Sequence, residues 1–227
     1  GNEGFNKKVW DALRLNDETV VLNYVSSYGE EGFSGEVKVT VTYTFNDDNE
    51  LIIDYMATTN KKTVICLTNH GFFSLTGIAN PTPDVYNVEC EIRFVEGTPF
   101  DFRTPKAIGE RIDSDNEQLR NGSGYDHNYV LNKKEEGELS FAARLTEPKS
   151  GRTMEMYTTE PGMQLYTGNF ETGISGQHGA TFPRRSAVCL EAQHFPDSPN
   201  RPYFPSVVLR PGEQYKQTTI YKFGVKK

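Results

Sequence analysis

The chain has 227 residues, a formal net charge of -7, and 36% hydrophobic and 12% aromatic residues. That length and apolar content suffice for a buried core without a disulfide framework, and they exclude an intrinsically disordered chain. The acidic balance argues against a nucleic-acid partner, whose phosphates are met by an excess of Lys and Arg, and no apolar run approaches the roughly 20 residues of a membrane-spanning helix.

Strand signals run from one end of the chain to the other. A first short candidate covers residues 20–25. Over 36–45, Val37, Val39, Val41, Tyr43 and Phe45 interleave with Glu36, Lys38, Thr40, Thr42 and Thr44, a period of two that turns one face to a core and the other to water. The turn-forming run Asn46-Asp47-Asp48-Asn49 follows, then Leu51, Ile53 and Tyr55 repeat the alternation, which predicts a hairpin. Residues 64–67 form a short apolar run, and Val88, Cys90, Ile92 and Phe94 alternate with polar neighbours. Helical periodicity is nearly absent; the spacing allows one short helix or turn over 113–119 with Ser114 as its cap. Leu139, Phe141, Ala143 and Leu145 alternate again, and Met154 and Met156 follow the turn at 148–151. Shorter strand candidates lie at 164–166, 188–192 and 219–225. The 20 glycines and 12 prolines are scattered between these runs, with no composition shift and no fixed repeat. The expected architecture is one all-β domain over 1–227, a sandwich or barrel.

Residues able to carry chemistry are few. Cys66, Cys90 and Cys189 are odd in number, far apart and each embedded in an apolar run, so they read as buried free thiols. No Cys/His ligands cluster at zinc-motif spacing, and no metal is expected. Of the four histidines, His70, His127, His178 and His194, a surface or packed role is the ordinary reading for each. His70 stands apart because it ends a strand-like run and precedes Gly71-Phe72-Phe73, a setting that suits the floor of a cleft. Glu191 lies in the apolar run Cys189-Leu190-Glu191-Ala192-Gln193. Either it faces solvent while Leu190 faces the core, or it projects into a pocket with a raised pKa, as a general base requires. Asp126 sits among aromatics and amides in Gly124-Tyr125-Asp126-His127-Asn128-Tyr129, Gln164 follows Pro161-Gly162, and Asn169 follows Tyr166-Thr167-Gly168. The sequon Asn121-Gly122-Ser123 is explained by chance. No phosphate-cradling glycine loop, nucleophile elbow or recognisable Ser-His-Asp triad is present, which disfavours phosphoryl and acyl transfer.

Taken in order, these segments resemble the aldose 1-epimerases, the galactose mutarotase family. Gly4-Phe5-Asn6-Lys7-Lys8-Val9-Trp10 is similar to the stretch just after the family's His-Gly-Gly motif, and Leu67-Thr68-Asn69-His70-Gly71-Phe72-Phe73-Ser74-Leu75 to its Leu-Thr-Asn-His-x-Tyr-Phe-Asn-Leu. The segments 97–103, 124–131 and 164–170, then Leu190-Glu191-Ala192-Gln193 and 209–215, continue the likeness in register. The resemblance implies a β-supersandwich, here lacking its N-terminal strands, and a cofactor-free interconversion of α and β anomers of aldohexoses. It implies His70 as general acid and Glu191 as general base, with Asn69, Phe72, Asp126 and Gln164 in contact with the sugar. Glu191 is expected ionised and His70 protonated at rest. Phe72 stands where the family has Tyr and Ser74 where it has Asn, and 75–97 is shorter than the family's segment. The start beyond the His-Gly-Gly motif makes an incomplete portion of a longer protein the expectation. The expected partner is a small sugar, with no nucleic acid or membrane. The assembly would be a monomer or homodimer, and the compartment cytoplasmic or, after loss of a signal peptide, periplasmic or extracellular. The alternative is a non-catalytic carbohydrate-binding protein on the same scaffold; action on a phosphorylated sugar suits the net acidity less.

Overall fold

The hairpin expected from alternation is the centre of the largest sheet. The structure, a computed structural model, describes residues 3–75, 92–170, 173–175, 179 and 181–226. Strand β3 (Val37–Phe45) pairs antiparallel with β4 (Glu50–Thr59) in unbroken register from Val37↔Thr59 to Phe45↔Leu51. Two further strands precede β3, the four-residue β1 (Asp11–Arg14) and β2 (Thr19–Ser26). On the other side of β4 lies β14 (Tyr215–Val225), followed by β8 (Arg152–Thr158) and β7 (Ser140–Thr146). The sheet order is β1-β2-β3-β4-β14-β8-β7. Cross-strand rows explain its stability. Val41, Tyr55 and Gln217 line up on β3, β4 and β14, as do Ile53, Thr219 and Thr158 on β4, β14 and β8, and all six are buried. Met154 and Met156 are fully buried on the same strand, as their alternation predicts.

By contacts the chain divides into two compact units: Gly1–Thr68, Val130–Gly162 and Ala192–Lys227 form the first; Asn69–Tyr129 and Met163–Glu191 form the second. The first holds the seven-stranded sheet and a two-stranded ladder of β5 (Thr63–Val64) with β13 (Val208–Leu209). The second holds most of β6 (Asp126–Val130), β9 (Gly162–Tyr166) and β12 (Cys189–Gln193), which form a sheet ordered β12-β9-β6, while Val130, Gly162, Ala192 and Gln193 at their ends fall in the first. The second also holds the short pair β10 (Ile174–Ser175) and β11 (Thr181–Phe182), and the one α-helix among the described residues, α1 (Glu117–Gly122).

The fold is all-β, and the strand pairs of the large sheet and of both two-stranded ladders are antiparallel. Several local expectations need correction. Helix α1 begins at Glu117, and its cap is Asn116, whose side-chain oxygen accepts N–H groups from Gln118 and Leu119; Ser114 lies upstream in a turn. The Asn side chain reaches the second and third helical N–H groups, which the Ser cannot from two residues further back. On β7 the alternation breaks at a bulge between Phe141 and Ala143, which leaves Phe141 half-exposed. The run 64–67 is a strand only at its first residue, and Ile65 continues with a single N–H bond to Val207. Of the candidate at 88–94, Val88 and Cys90 lie outside the described residues; Ile92 and Phe94 are exposed and not in a strand. Among the described residues, no helix is long and apolar enough to cross a membrane.

Candidate active site

The segment bearing His70 is shaped by its own side chains. The Asn69 carboxamide oxygen accepts the Gly71 N–H at 3.0 Å, and a Cβ at Gly71 would come within 2.8 Å of that oxygen. Only glycine fits this turn without displacing Asn69. Just beyond it, Phe73 and Val188 exchange both backbone hydrogen bonds at 2.9 Å, an isolated antiparallel bridge. Continuing that register outward sets Phe72 opposite Cys189 and His70 opposite Glu191, because each step back on one strand matches a step forward on the other. This explains how two residues far apart in sequence meet: His70 Nε2 lies 3.4 Å from Glu191 Oε1.

The two members of the pair have opposite surroundings. His70 keeps half its side chain in solvent, whereas Glu191 is 6% exposed on a strand whose residues from Cys189 to Ala192 are all buried. The reading in which Glu191 faces solvent is therefore overturned. Burial, reinforced by the negative charge of Asp126, pushes the Glu191 carboxyl up to about 8. Burial thus works against the ionised Glu191 expected from sequence, because it favours the protonated carboxyl.

Asp126 at the start of β6 and Gln164 on β9 meet side by side, with Gln164 Nε2 donating to Asp126 Oδ1 at 2.7 Å. Burial raises the Asp126 carboxyl, opposed by this bond and by the charge of His70. The other end of the Gln164 carboxamide, its Oε1, is buried with no partner among the described residues. An orphaned buried acceptor is costly, so a donor brought by a ligand is favoured there.

Aromatic rings wall the imidazole. Phe72 lies 5.1 Å and Tyr166 5.6 Å from His70, and Phe170 extends the row 6.4 Å beyond Tyr166. Sequence reasoning alone misses Tyr166 and Cys189 as members of this site; their only signal is that they share strands with Gln164 and Glu191. The remaining histidines separate cleanly. His127 is held neutral, burial pushing its imidazole down to about 4, with its Nδ1 accepting the Asp126 N–H. His194 pairs with Glu160, and His178 lies outside the described residues. Asn169 is fully buried, accepting from Thr167 Oγ1 and donating to the Tyr125 carbonyl, and so braces the backbone beside the site. Of the cysteines, Cys189 is buried as expected, Cys66 is not, and Cys90 lies outside the described residues.

This arrangement offers a proton donor and acceptor in contact, a polar pair with spare hydrogen-bonding capacity and an aromatic wall. Comparison with known proteins places the chain in a family. The profile of the family described as "Aldose 1-epimerase" matches residues 2–222. Galactose mutarotase from Homo sapiens is 41% identical over 242 residues, covering 99% of this chain and 68% of the relative; aldose 1-epimerase from Escherichia coli K12 is 35% identical over 243, covering 98% and 69%. Both alignments are longer than the chain, so gaps separate the sequences. A crystal structure of a GalM/aldose epimerase homologue from C. elegans superposes with TM-score 0.82 at 29% identity, over 100% of this chain and 72% of that one. Galactose 1-epimerase from Lactobacillus acidophilus NCFM shares the fold, with TM-score 0.78 at 24% identity over 98% and 68%. The chain belongs to the aldose 1-epimerase family.

Proposed function

We propose that this protein interconverts the α and β anomers of aldohexoses such as galactose or glucose, with His70 and Glu191 as the proton-transferring pair. The observation that carries this reading is the 3.4 Å approach of His70 Nε2 to a buried Glu191 carboxylate oxygen. Mutarotation moves two protons and changes only the configuration at the anomeric carbon. One group takes the proton from the anomeric hydroxyl while another protonates the ring oxygen. The C1–O5 bond breaks to give an aldehyde, C1–C2 rotates, and the ring oxygen closes on the other carbonyl face with both protons returned.

A pair holding one shared proton has an acid and a base available together, and after the turnover it is restored. A base whose pKa is lifted to about 8 by burial accepts a hydroxyl proton more readily than an ordinary carboxylate does. Glu191 is therefore assigned the base and His70 the acid. The half-exposed imidazole leaves the pair open to solvent on one side, where the anomeric end of the sugar approaches. Asp126 and Gln164 are assigned the sugar hydroxyls, one hydroxyl donating to the vacant Gln164 Oε1. Their role is to hold the ring so that the anomeric oxygens face the pair. Phe72 supplies an apolar surface beside the imidazole, and Asn69 fixes the turn that presents it.

Optical rotation tests this directly. Freshly dissolved α-galactose or α-glucose should reach its equilibrium rotation faster with the protein than in buffer. An unchanged time course for both sugars would overturn the reading.

A further inference from the structure

The first unit holds a second group of His, Cys and Glu that the proposed reaction does not use. Cys66 lies just beyond β5, Glu160 in the turn between β8 and β9, and His194 one residue past β12. One potential ligand atom from each lies within 4.8 Å of the other two. We propose that these three side chains form a binding site for a thiophilic divalent cation of the zinc class.

The donor set is the first argument. A thiolate, an imidazole and a carboxylate are the ligand types that zinc takes in tetrahedral sites, and three protein ligands leave a fourth position open to water. Geometry is the second. His194 Nδ1 and Glu160 Oε2 stand 2.5 Å apart, a direct hydrogen bond. A shared zinc would open that separation to about 3.4 Å, a movement of less than one bond length, since zinc–nitrogen and zinc–oxygen distances are near 2.1 Å. Alternatively the hydrogen bond persists and Glu160 orients the ring while its other nitrogen ligates, as carboxylates commonly do behind metal-bound histidine.

Burial provides the third argument. Glu160 is 2% exposed, so its carboxylate has lost its hydration and gains from any cation delivered to it. Cys66 keeps an exposed flank, which gives the ion a way in, although enough protein surrounds the sulfur to push the thiol up to about 11. The backbone N–H of His194 points a hydrogen bond at that sulfur and favours its thiolate form, as second contacts do around metal-bound thiolates. At neutral pH, binding must displace the thiol proton to solvent. No local pattern betrays this group, because its members are 94 and 34 positions apart and match no zinc-motif spacing.

The test is a zinc titration of the intact protein against a chromophoric chelator, repeated with cobalt(II) to detect thiolate-to-cobalt charge-transfer absorption. His70, Cys189 and Glu191 in the second unit offer the same ligand types, so the titration is run on Glu191→Gln as well. One equivalent of zinc should bind to wild type and to Glu191→Gln, with a charge-transfer band in both. Cys66→Ser should lose the band, and Cys66→Ser and His194→Asn should each bind at least tenfold more weakly. Absence of the band from wild type overturns the proposal without any variant. Undiminished binding by Cys66→Ser, or loss of the equivalent in Glu191→Gln, overturns it equally, the latter by moving the metal to the other group.

Discussion

The two units each bring together one histidine, one cysteine and one glutamate, and the two groups face the world in opposite ways. In the second unit the cysteine and glutamate are buried and the imidazole of His70 is the solvent-facing member. In the first unit Glu160 is buried, His194 is mostly covered, and Cys66 is the exposed one. The pairs differ in tightness too: His194 and Glu160 are hydrogen-bonded at 2.5 Å, whereas His70 and Glu191 stand 3.4 Å apart. Residue types alone do not decide chemistry. An open imidazole beside a desolvated carboxyl suits proton transfer to a ligand. A closed pair with a thiol at its mouth suits holding an ion.

The comparison can be broken most severely at Glu191. Glu191→Gln or His70→Asn should lower the mutarotation rate by roughly 10² to 10⁴, the usual contribution of a positioned acid or base. Polarimetry checks this, with circular dichroism confirming that the fold is retained. A loss smaller than tenfold in Glu191→Gln would assign the proton transfer elsewhere.

A second consequence concerns stability. The folded Glu191 carboxyl is raised to about 8 from an ordinary carboxylate value, so the folded state binds this proton more tightly than the unfolded state. Its contribution is complete at acid pH and is lost as the pH rises through about 8. Wild type should lose up to roughly 4 kcal/mol relative to Glu191→Gln between pH 5 and pH 9, since each tenfold difference in proton affinity is worth about 1.4 kcal/mol. Thermal melts of both proteins at the two pH values measure the difference. Parallel melting curves would remove the case for a desolvated carboxyl.

Smaller effects sharpen the roles of the neighbours. Gln164→Ala removes the amide that bonds Asp126 and the unpaired oxygen assigned to a sugar hydroxyl. KM should rise about tenfold, the loss of one hydrogen bond to a charged or buried partner, with a smaller change in kcat. Phe72→Tyr, at a half-exposed ring 5.1 Å from His70, should change kcat by less than about threefold, as surface substitutions that keep their packing usually do. Steady-state kinetics separates these cases.

What could be read from the sequence follows from which forces are local. The β3–β4 hairpin is legible because its alternation, turn and burial all lie within twenty-odd neighbouring residues. Strand β1 is not, since Asp11, Ala12, Leu13 and Arg14 are all exposed and carry no buried face to alternate. The start of the helix is ambiguous because Ser114 and Asn116 are both plausible caps, and only the positions of the Gln118 and Leu119 N–H groups choose between them. His70 and Glu191 are legible through family motifs, but their contact depends on the Phe73–Val188 bridge, which no local pattern encodes. Cys66 reads as buried because it sits in an apolar run, yet that run stops pairing after Ile65.

The central claim is that His70 and Glu191 act together on one shared proton, and the pH dependence of kcat/KM for mutarotation tests it most directly. Wild type should give a bell, falling at low pH where both groups are protonated and at high pH where neither is. His70→Asn should leave only a single limb, rising through about pH 8 as Glu191 ionises. A wild-type profile that stays flat across this range, or a His70→Asn profile that keeps both limbs, would contradict the claim.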